Sequence, residues 1–455
     1  MGRMFGTDGV RGIANKELTC ELALKIGAAG AYVIASDVHR PRILIGSDTR
    51  RSADMLCSAL IAGICSVGGD AIMLGEIPTP AMAYLVRCYG ADAAVMVSAS
   101  HNSMEYNGIK WFDSNGFKLK DSVEDRIEAI IKENIMLPMP TGEGVGYMMS
   151  AKRARDEYIE FLKEASTADT LAGIKIALDC ANGASSGIAR EVFEGLGATV
   201  FAYEDEPDGC NINDRCGSTY PKRLRQIMTE LDADVGFAFD GDADRVIAFD
   251  EYGNIVDGDR IMGICAADMK REGTLANNML VMTVMSNLGL KKYMNKLGID
   301  YAETKVGDRY VLEKMLEGGY SIGGEQSGHI IFLDKNTTGD GMLTAVKVLN
   351  VLKKSGKSMS ELAREIDIYP QVLVNVMLDK DVMSEALDDP DFISENKRIL
   401  STLGDNGRVL IRKSGTEPLI RIMVEGQDQS EIETLALRAA NVLTAKYNGR
   451  IKEKR

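Results

Sequence analysis

The chain has 455 residues, a length that suggests about three domains and allows four. It is 45% hydrophobic and 26% charged, the composition of a globular protein with sizeable cores. A net charge of -14 argues against general binding to nucleic acid or to an anionic membrane surface, so an anionic ligand needs a local basic site. The eight cysteines are scattered, with no CxxC pair, and only three histidines occur, which excludes an evident zinc cluster. Reduced thiols in apolar runs fit a reducing cytoplasm. The first residues, Met1-Gly2-Arg3-Met4-Phe5-Gly6, carry no apolar signal core, and Gly6 stands where myristoylation wants Ser or Thr. Apolar stretches such as Met55 to Val67 are too short to span a bilayer.

In chain order, Leu18 to Ser36 reads as a helix and Arg42 to Gly46 as a strand ending at Asp48-Thr49-Arg50. Ser52 to Val67 reads as a second helix, with a strand near Ala71 to Leu74. The apolar run Ala93 to Val97 is a strand that enters Ser98-Ala99-Ser100-His101-Asn102, and Gly108 to Phe112 turns back as another. Pro138 to Gly142 is a break, and a charged helix spans Ala151 to Ala165. A second unit opens with Ile174 to Leu178, continues with a strand at Ala198 to Tyr203, and ends on Val235 to Phe239. That last strand enters Asp240-Gly241-Asp242-Ala243-Asp244-Arg245. A third unit holds strands at Met279 to Val284 and near Gly298 to Tyr301, and the run Tyr320 to Ile322 before Gly324-Glu325-Gln326-Ser327-Gly328-His329. The last unit shows strands at Gln371 to Val376, Gly407 to Ile411 and Ile420 to Val424, with helices at about 392–403 and 429–447. Short turns between its strands predict an antiparallel sheet.

Alternating strands and helices predict α/β layers, with three units repeating strand, glycine-bearing polar loop, helix. Ligands of open α/β sheets sit outside the carboxyl ends of strands, so the three loops are expected to share one cleft. The boundaries are drawn at 1–150, 151–255, 256–368 and 369–455.

Five segments carry chemistry. Asp240, Asp242 and Asp244 alternate in an extended loop and offer the hard oxygen ligands that magnesium prefers. The run resembles the start of an EF-hand, but its sixth position is not glycine. The alternative is a solvated acidic turn; three carboxylates in five residues repel one another without a cation, which favours a metal. The serine loop reads alone as a turn rich in local side-chain hydrogen bonds. Beside a metal loop it reads as a phosphoryl carrier, with His101 and Lys110 as donors or proton shuttles. After the strand Val409 to Ile411, Arg412-Lys413-Ser414-Gly415-Thr416 forms an anion nest, to which Arg421 adds a contact; a capped turn is the competing reading. Glu325, Ser327 and His329 between glycines suit polyol hydrogen bonding or an ammonium, or form a plain turn. Arg11, in the glycine-rich Phe5 to Gly12 segment, is placed to clamp a phosphate unless that segment is only a structural turn.

With these segments in this order, the chain resembles the α-D-phosphohexomutases over essentially its whole length. The Phe5 to Gly12 and Gly324 to His329 segments are similar to the branch that acts on amino-sugar phosphates; the phosphomannomutase/phosphoglucomutase branch usually has methionine where Gln326 stands. The resemblance implies three related α/β domains with mixed sheets and a smaller C-terminal α+β domain akin to the TATA-binding-protein-like fold. It implies that Ser100, not Ser98, carries the phosphate, and that Ser100, Asp240, Asp242 and Asp244 hold Mg2+. Glu325, Ser327 and His329 would grip the sugar, with Lys305 as a candidate proton-transfer or sugar contact. Arg412, Ser414, Gly415, Thr416 and Arg421 would bind the distal phosphate, and Arg11, His101, Lys110 and Arg245 would surround the reacting one. The implied activity is an intramolecular phosphotransfer, an isomerase converting glucosamine 6-phosphate to glucosamine 1-phosphate through a sugar 1,6-bisphosphate. Glucose or mannose phosphates are the rival substrates, and a non-catalytic sugar-phosphate-binding protein is the rival class. A small-molecule partner, no nucleic acid, no membrane, a cytoplasmic location and a homodimer complete the expectation. Two departures stand out: Ser103 replaces the family's usual proline, and Arg215 and Tyr220 stand where relatives often carry a small residue and histidine.

Overall fold

The computed structural model describes residues 3–6, 8–35, 40–414 and 417–452. It divides into two compact units, one comprising residues up to Ser286 together with Met294–Glu365, the other Asn287–Tyr293 together with the chain from Ile366 onward.

The larger unit contains three sheets. The first has six strands in the order Val10–Ile13, Tyr106–Asp113, Ala93–Val97, Arg42–Ser47, Asp70–Glu76 and Met148–Ser150. The second has five, with Lys175–Asp179 between Thr199–Tyr203 and Val235–Phe239, followed by Val246–Phe249 and Ile255–Val256. The third orders Asp300–Thr304, Met279–Thr283, Ile322–Gly324 and Ile330–Phe332. Their centres are parallel, and such strands must be apolar on both faces: all five residues of Ala93–Val97 and all five of Val235–Phe239 are buried.

The three sheets share one device. A strand from the parallel core ends in the polar loop, and the chain returns as an antiparallel neighbour. Ala93–Val97 pairs with Tyr106–Asp113, Val235–Phe239 with Val246–Phe249, and Ile322–Gly324 with Ile330–Phe332. This corrects the expected strand, loop, helix order: a strand follows each loop. The returning strands Val246–Phe249 and Ile330–Phe332 are only four and three residues long, too short for an apolar run to reveal its period.

The helix Thr79–Cys88, which the sequence analysis does not anticipate, follows the second parallel crossover and is buried along most of its length. Pro80 opens its first turn, where a missing N–H costs nothing. The helix Gly341–Ser355 starts at Asp340, whose carboxylate accepts from Leu343 N at 2.9 Å and from Tyr158 Oη at 2.8 Å. Its first N–H, from Gly341, donates to Ala243 O at 3.0 Å and so braces the aspartate loop from the third domain.

The smaller unit is the expected antiparallel sheet, ordered Arg408–Lys413, Leu419–Glu425, Gln371–Met377, Arg450–Ile451. The helices Pro390–Leu403 and Gln429–Tyr447 close its core over Val374, Val376, Ile420, Ile422 and Val424. No helix of the described residues is long and apolar enough to cross a membrane.

Candidate active site

The serine loop and the aspartate loop meet at the carboxyl ends of their strands. Ser100 Oγ donates to Asp240 Oδ2 at 2.8 Å and lies 3.2 Å from His101 Nδ1. Ser100 sits in left-handed backbone, φ 53, a conformation a serine holds only where its surroundings impose it. Arg50, whose side chain is fully buried, imposes it. Its guanidinium donates to the carbonyls of Ser100 at 2.9 Å, Asn102 at 2.7 Å and Tyr106 at 3.1 Å, and to that of Ser103. Its Nε donates to Asp48 Oδ2 at 2.9 Å. Ser98 is not available for chemistry: its hydroxyl donates to Asp48 at 2.6 Å and accepts the Ser100 N–H at 2.9 Å.

Asp240, Asp242 and Asp244 are buried, and one oxygen of each lies within 4.8 Å of the others. Among the described residues, Asp242 Oδ1 and Asp244 Oδ1 have no hydrogen-bond partner. Burial and the neighbouring carboxylates push Asp240 well above the usual range and raise Asp244. Burial would also raise Asp242, but Lys110 Nζ at 2.7 Å and Thr79 Oγ1 at 2.6 Å hold it below. Three buried carboxylates, two of them with orphaned oxygens, are the donor set that a hard divalent cation neutralises. The residues fit a metal.

Cations surround this pair of loops. Lys110, 1% exposed, bridges Asp242 and, at 3.3 Å, Asp8. Arg245 Nη1 lies 3.3 Å from His101 Nδ1. Burial, with Arg245 and Arg11 beside it, pushes His101 down to about 4, so its imidazole is neutral near pH 7. Arg245 Nη1 can only donate, so Nδ1 is the acceptor nitrogen. Arg11 pairs with Asp8. Asp8 is held well below the usual range against its burial by Lys110, Lys118 and Arg11.

Above these loops opens a cleft of about 480 Å³ lined by Arg11, Asp244, Arg245, Glu325 and His329, together with Asp8 and Asp308. Glu325 Oε1 accepts from Gly307 N at 2.9 Å, tying the third loop to the Lys305 to Arg309 turn. His329 is 2% exposed, with Nε2 at 3.9 Å from both Asp244 and Asp308. Ser327 is exposed at its loop tip and Lys305 is exposed 5.8 Å from the Tyr310 ring; neither is among the residues lining the cleft. Sequence reasoning missed Asp8, Lys118 and Asp308, which form one chain: Lys118 Nζ lies 2.5 Å from each carboxylate. Burial would raise Asp308, but Lys118 and His329 bring it down to about 2.

In the smaller unit, Arg412 and Arg421 face each other across adjacent strands. Burial and the Arg421 charge lower the Arg412 pKa, and Arg421 Nε is buried with no hydrogen-bond partner among the described residues. Two guanidiniums set directly opposite repel, and an anion relieves that. Ser414 Oγ accepts from Glu417 N at 3.2 Å. Gly415 and Thr416 lie outside the described residues.

This fold and this site define a phosphohexomutase architecture. The chain belongs to the phosphoglucomutase/phosphomannomutase family: residues 2–137 match its α/β/α domain I, 156–253 domain II, 257–369 domain III and 373–442 its C-terminal domain. It is 56% identical over 449 residues to phosphoglucosamine mutase of Caldanaerobacter subterraneus subsp. tengcongensis, covering 98% of this chain and all of the relative. It is 53% identical to phosphoglucosamine mutase of Clostridium novyi over the same shares of the two chains. Among solved structures, a phosphoglucomutase/phosphomannomutase family protein from Burkholderia thailandensis superposes with TM-score 0.84 at 23% identity, over 99% of each chain.

Proposed function

We propose that this chain interconverts glucosamine 6-phosphate and glucosamine 1-phosphate, with Ser100 as phosphoryl carrier. The observation that carries the reading is the approach of Ser100 Oγ to 2.8 Å from Asp240 within the buried carboxylate triad, beneath a cleft that also presents Arg11 and Arg245. The high identity to the named relatives supports the amino sugar as substrate.

Ser100 Oγ with Asp240, Asp242 and Asp244 would hold Mg2+, which when bound neutralises charge on the transferring phosphoryl group. Arg11, Lys110 and Arg245 surround that group. In the forward half-reaction the free sugar hydroxyl oxygen bonds the phosphorus as the Ser100 O–P bond breaks, giving the 1,6-bisphosphate, and the proton of that hydroxyl passes to Ser100 Oγ. In the return half-reaction Ser100 Oγ bonds the other phosphate as that phosphate's bond to the sugar oxygen breaks, and the Ser100 hydroxyl proton passes, by way of His101 Nδ1 at 3.2 Å, to the sugar oxygen so freed. Glu325 and His329 serve the sugar, and Ser327 and Lys305 remain candidate contacts from the same two loops. Arg412 and Arg421, with Ser414, Gly415 and Thr416, take the phosphate that is not reacting.

The test is phosphorus NMR of the purified protein with Mg2+ and a trace of sugar bisphosphate, offering glucosamine, glucose and mannose 6-phosphates separately. Fastest formation of the 1-phosphate from the amino sugar is expected. Faster turnover of another sugar would transfer the same mechanism to that substrate, and no isomerisation of any would overturn it.

Two further outcomes are expected. Thr79→Val removes the hydroxyl that donates to Asp242 Oδ2 at 2.6 Å, and weakens divalent-cation binding by about 10- to 100-fold. Titration with Mn2+ followed by electron paramagnetic resonance measures this, and an unchanged Kd would show that Thr79 does not orient the ligand. Arg412→Ala raises the KM for sugar phosphate by about tenfold or more, the loss of a charge-assisted contact, and leaves Mn2+ binding unaltered. An unchanged KM would make Arg412 structural.

A further inference from the structure

The segment from Asn213 to Pro221 has no role in the sequence analysis, yet it touches both catalytic loops of the larger unit. We propose that Asn213 is a positioning residue of the transfer reaction, reaching from the second α/β domain to fix the serine loop so that Ser100 Oγ stands beside Asp240. The proposal rests on the reading of Ser100 as phosphoryl carrier.

Asn213 Nδ2 donates to the carbonyls of Ser100 at 2.9 Å and Asn102 at 3.0 Å. These are two of the carbonyls that Arg50 holds from the opposite side, at 2.9 and 2.7 Å. Each carbonyl thus uses both lone pairs, one on a guanidinium of its own domain and one on an amide of the next. The orientation of the amide is settled by chemistry, since a flip would point its oxygen at two carbonyl oxygens.

The base of Asn213 is equally fixed. Its own N–H donates to Ala181 O at 2.9 Å. Four residues on, Gly217 N donates to Asp179 Oδ2 at 2.8 Å and Ser218 N to Phe239 O at 2.8 Å. Phe239 is the last residue of the strand that delivers the aspartate loop. One short segment therefore grips the root of the aspartate loop at one end and the backbone of the serine loop at the other. It acts as a spacer between the two. No slack remains at the junction: a Cβ on Gly241 would stand 2.6 Å from Ser100 O and 2.8 Å from Asn213 Nδ2. Asn213 is not placed against substrate, so losing it should impair transfer without weakening capture.

The experiment compares the wild-type enzyme with Asn213→Ala, Asn213→Asp and the control Arg215→Ala, whose side chain is 79% exposed. Asn213→Ala is expected to lower kcat by about tenfold or more while KM for glucosamine 6-phosphate stays within about twofold. Asn213→Asp, which sets a carboxylate against two carbonyl oxygens, lowers kcat further, and Arg215→Ala changes neither constant. Circular dichroism checks folding, and Asn213→Ser replaces the alanine variant if that one does not fold. A kcat within about twofold of wild type in folded variants, or a KM that rises in step with the fall in kcat, overturns the assignment. If the wild-type protein isomerises no sugar phosphate, the mutase reading fails instead. Hydrogen exchange of the amides at 98–103 then decides for Asn213: faster exchange in Asn213→Ala but not in Arg215→Ala supports its hold on the loop, and unchanged exchange overturns it.

Discussion

Ser100→Ala is expected to remove turnover almost entirely, by on the order of 10⁴-fold or more, with the fold intact. The activity loss follows from deleting the hydroxyl that reaches Asp240 of the carboxylate triad at 2.8 Å, while Ser98 is committed to Asp48. The retained fold follows from how the loop is held. Its backbone is fixed by Arg50, Asn213 and Ser98, none of which bonds the Ser100 side chain. Phosphorus NMR of the variant reads the first effect and thermal unfolding the second. Turnover comparable to wild type would remove Ser100 from the mechanism, and a collapsed protein would show that its hydroxyl is structural.

Arg50→Ala should have the largest effect on stability, on the order of 3–5 kcal/mol, because it breaks a fully buried ion pair and leaves its partner behind. Asp48 is already raised by burial, with Arg50 pulling it down; without the guanidinium it is a buried carboxylate held only by Ser98 and the backbone. The carbonyls of Ser103 and Tyr106 lose the donors Arg50 supplies, and those of Ser100 and Asn102 keep only Asn213. Arg50→Lys should recover little, since an ammonium cannot spread its donors as the planar fork does. Calorimetry of both variants measures this. A melting transition unmoved by Arg50→Ala would mean that the loop keeps its shape by other contacts.

The parts of the site legible in the sequence are those whose chemistry is local. Asp240, Asp242 and Asp244 alternate within five residues; Ser100 and His101 are adjacent; Glu325 and His329 sit in one glycine-bounded turn. Each follows an apolar run whose burial as a strand can be read from composition alone. The residues that hold these groups in place were not legible. Thr79 meets Asp242 across 163 positions, Lys118 meets Asp308 across 190, and Asn213 meets Ser100 across 113. No periodicity encodes such a contact. Arg50 was visible only as the end of a strand, and nothing in Asp48-Thr49-Arg50 announces that its fork will collect the carbonyls of a loop fifty residues away. The order of elements misled for a related reason. The short strands that follow the second and third loops carry too few residues to distinguish a return strand from the first turn of a helix.

The return strand after the serine loop has a bearing on how this protein can change over time. Tyr106–Asp113 runs antiparallel to Ala93–Val97, with Trp111 opposite Val95 and Lys110 opposite Met96. Alternation sends Trp111 into the hydrophobic core with Ile109 and Lys110 to Asp242. Adding or deleting one residue between the two strands, if propagated along the ladder, would exchange those faces, driving an ammonium into the core and an indole into the site. Substitution is therefore open to the loop, whereas change in its length is closed.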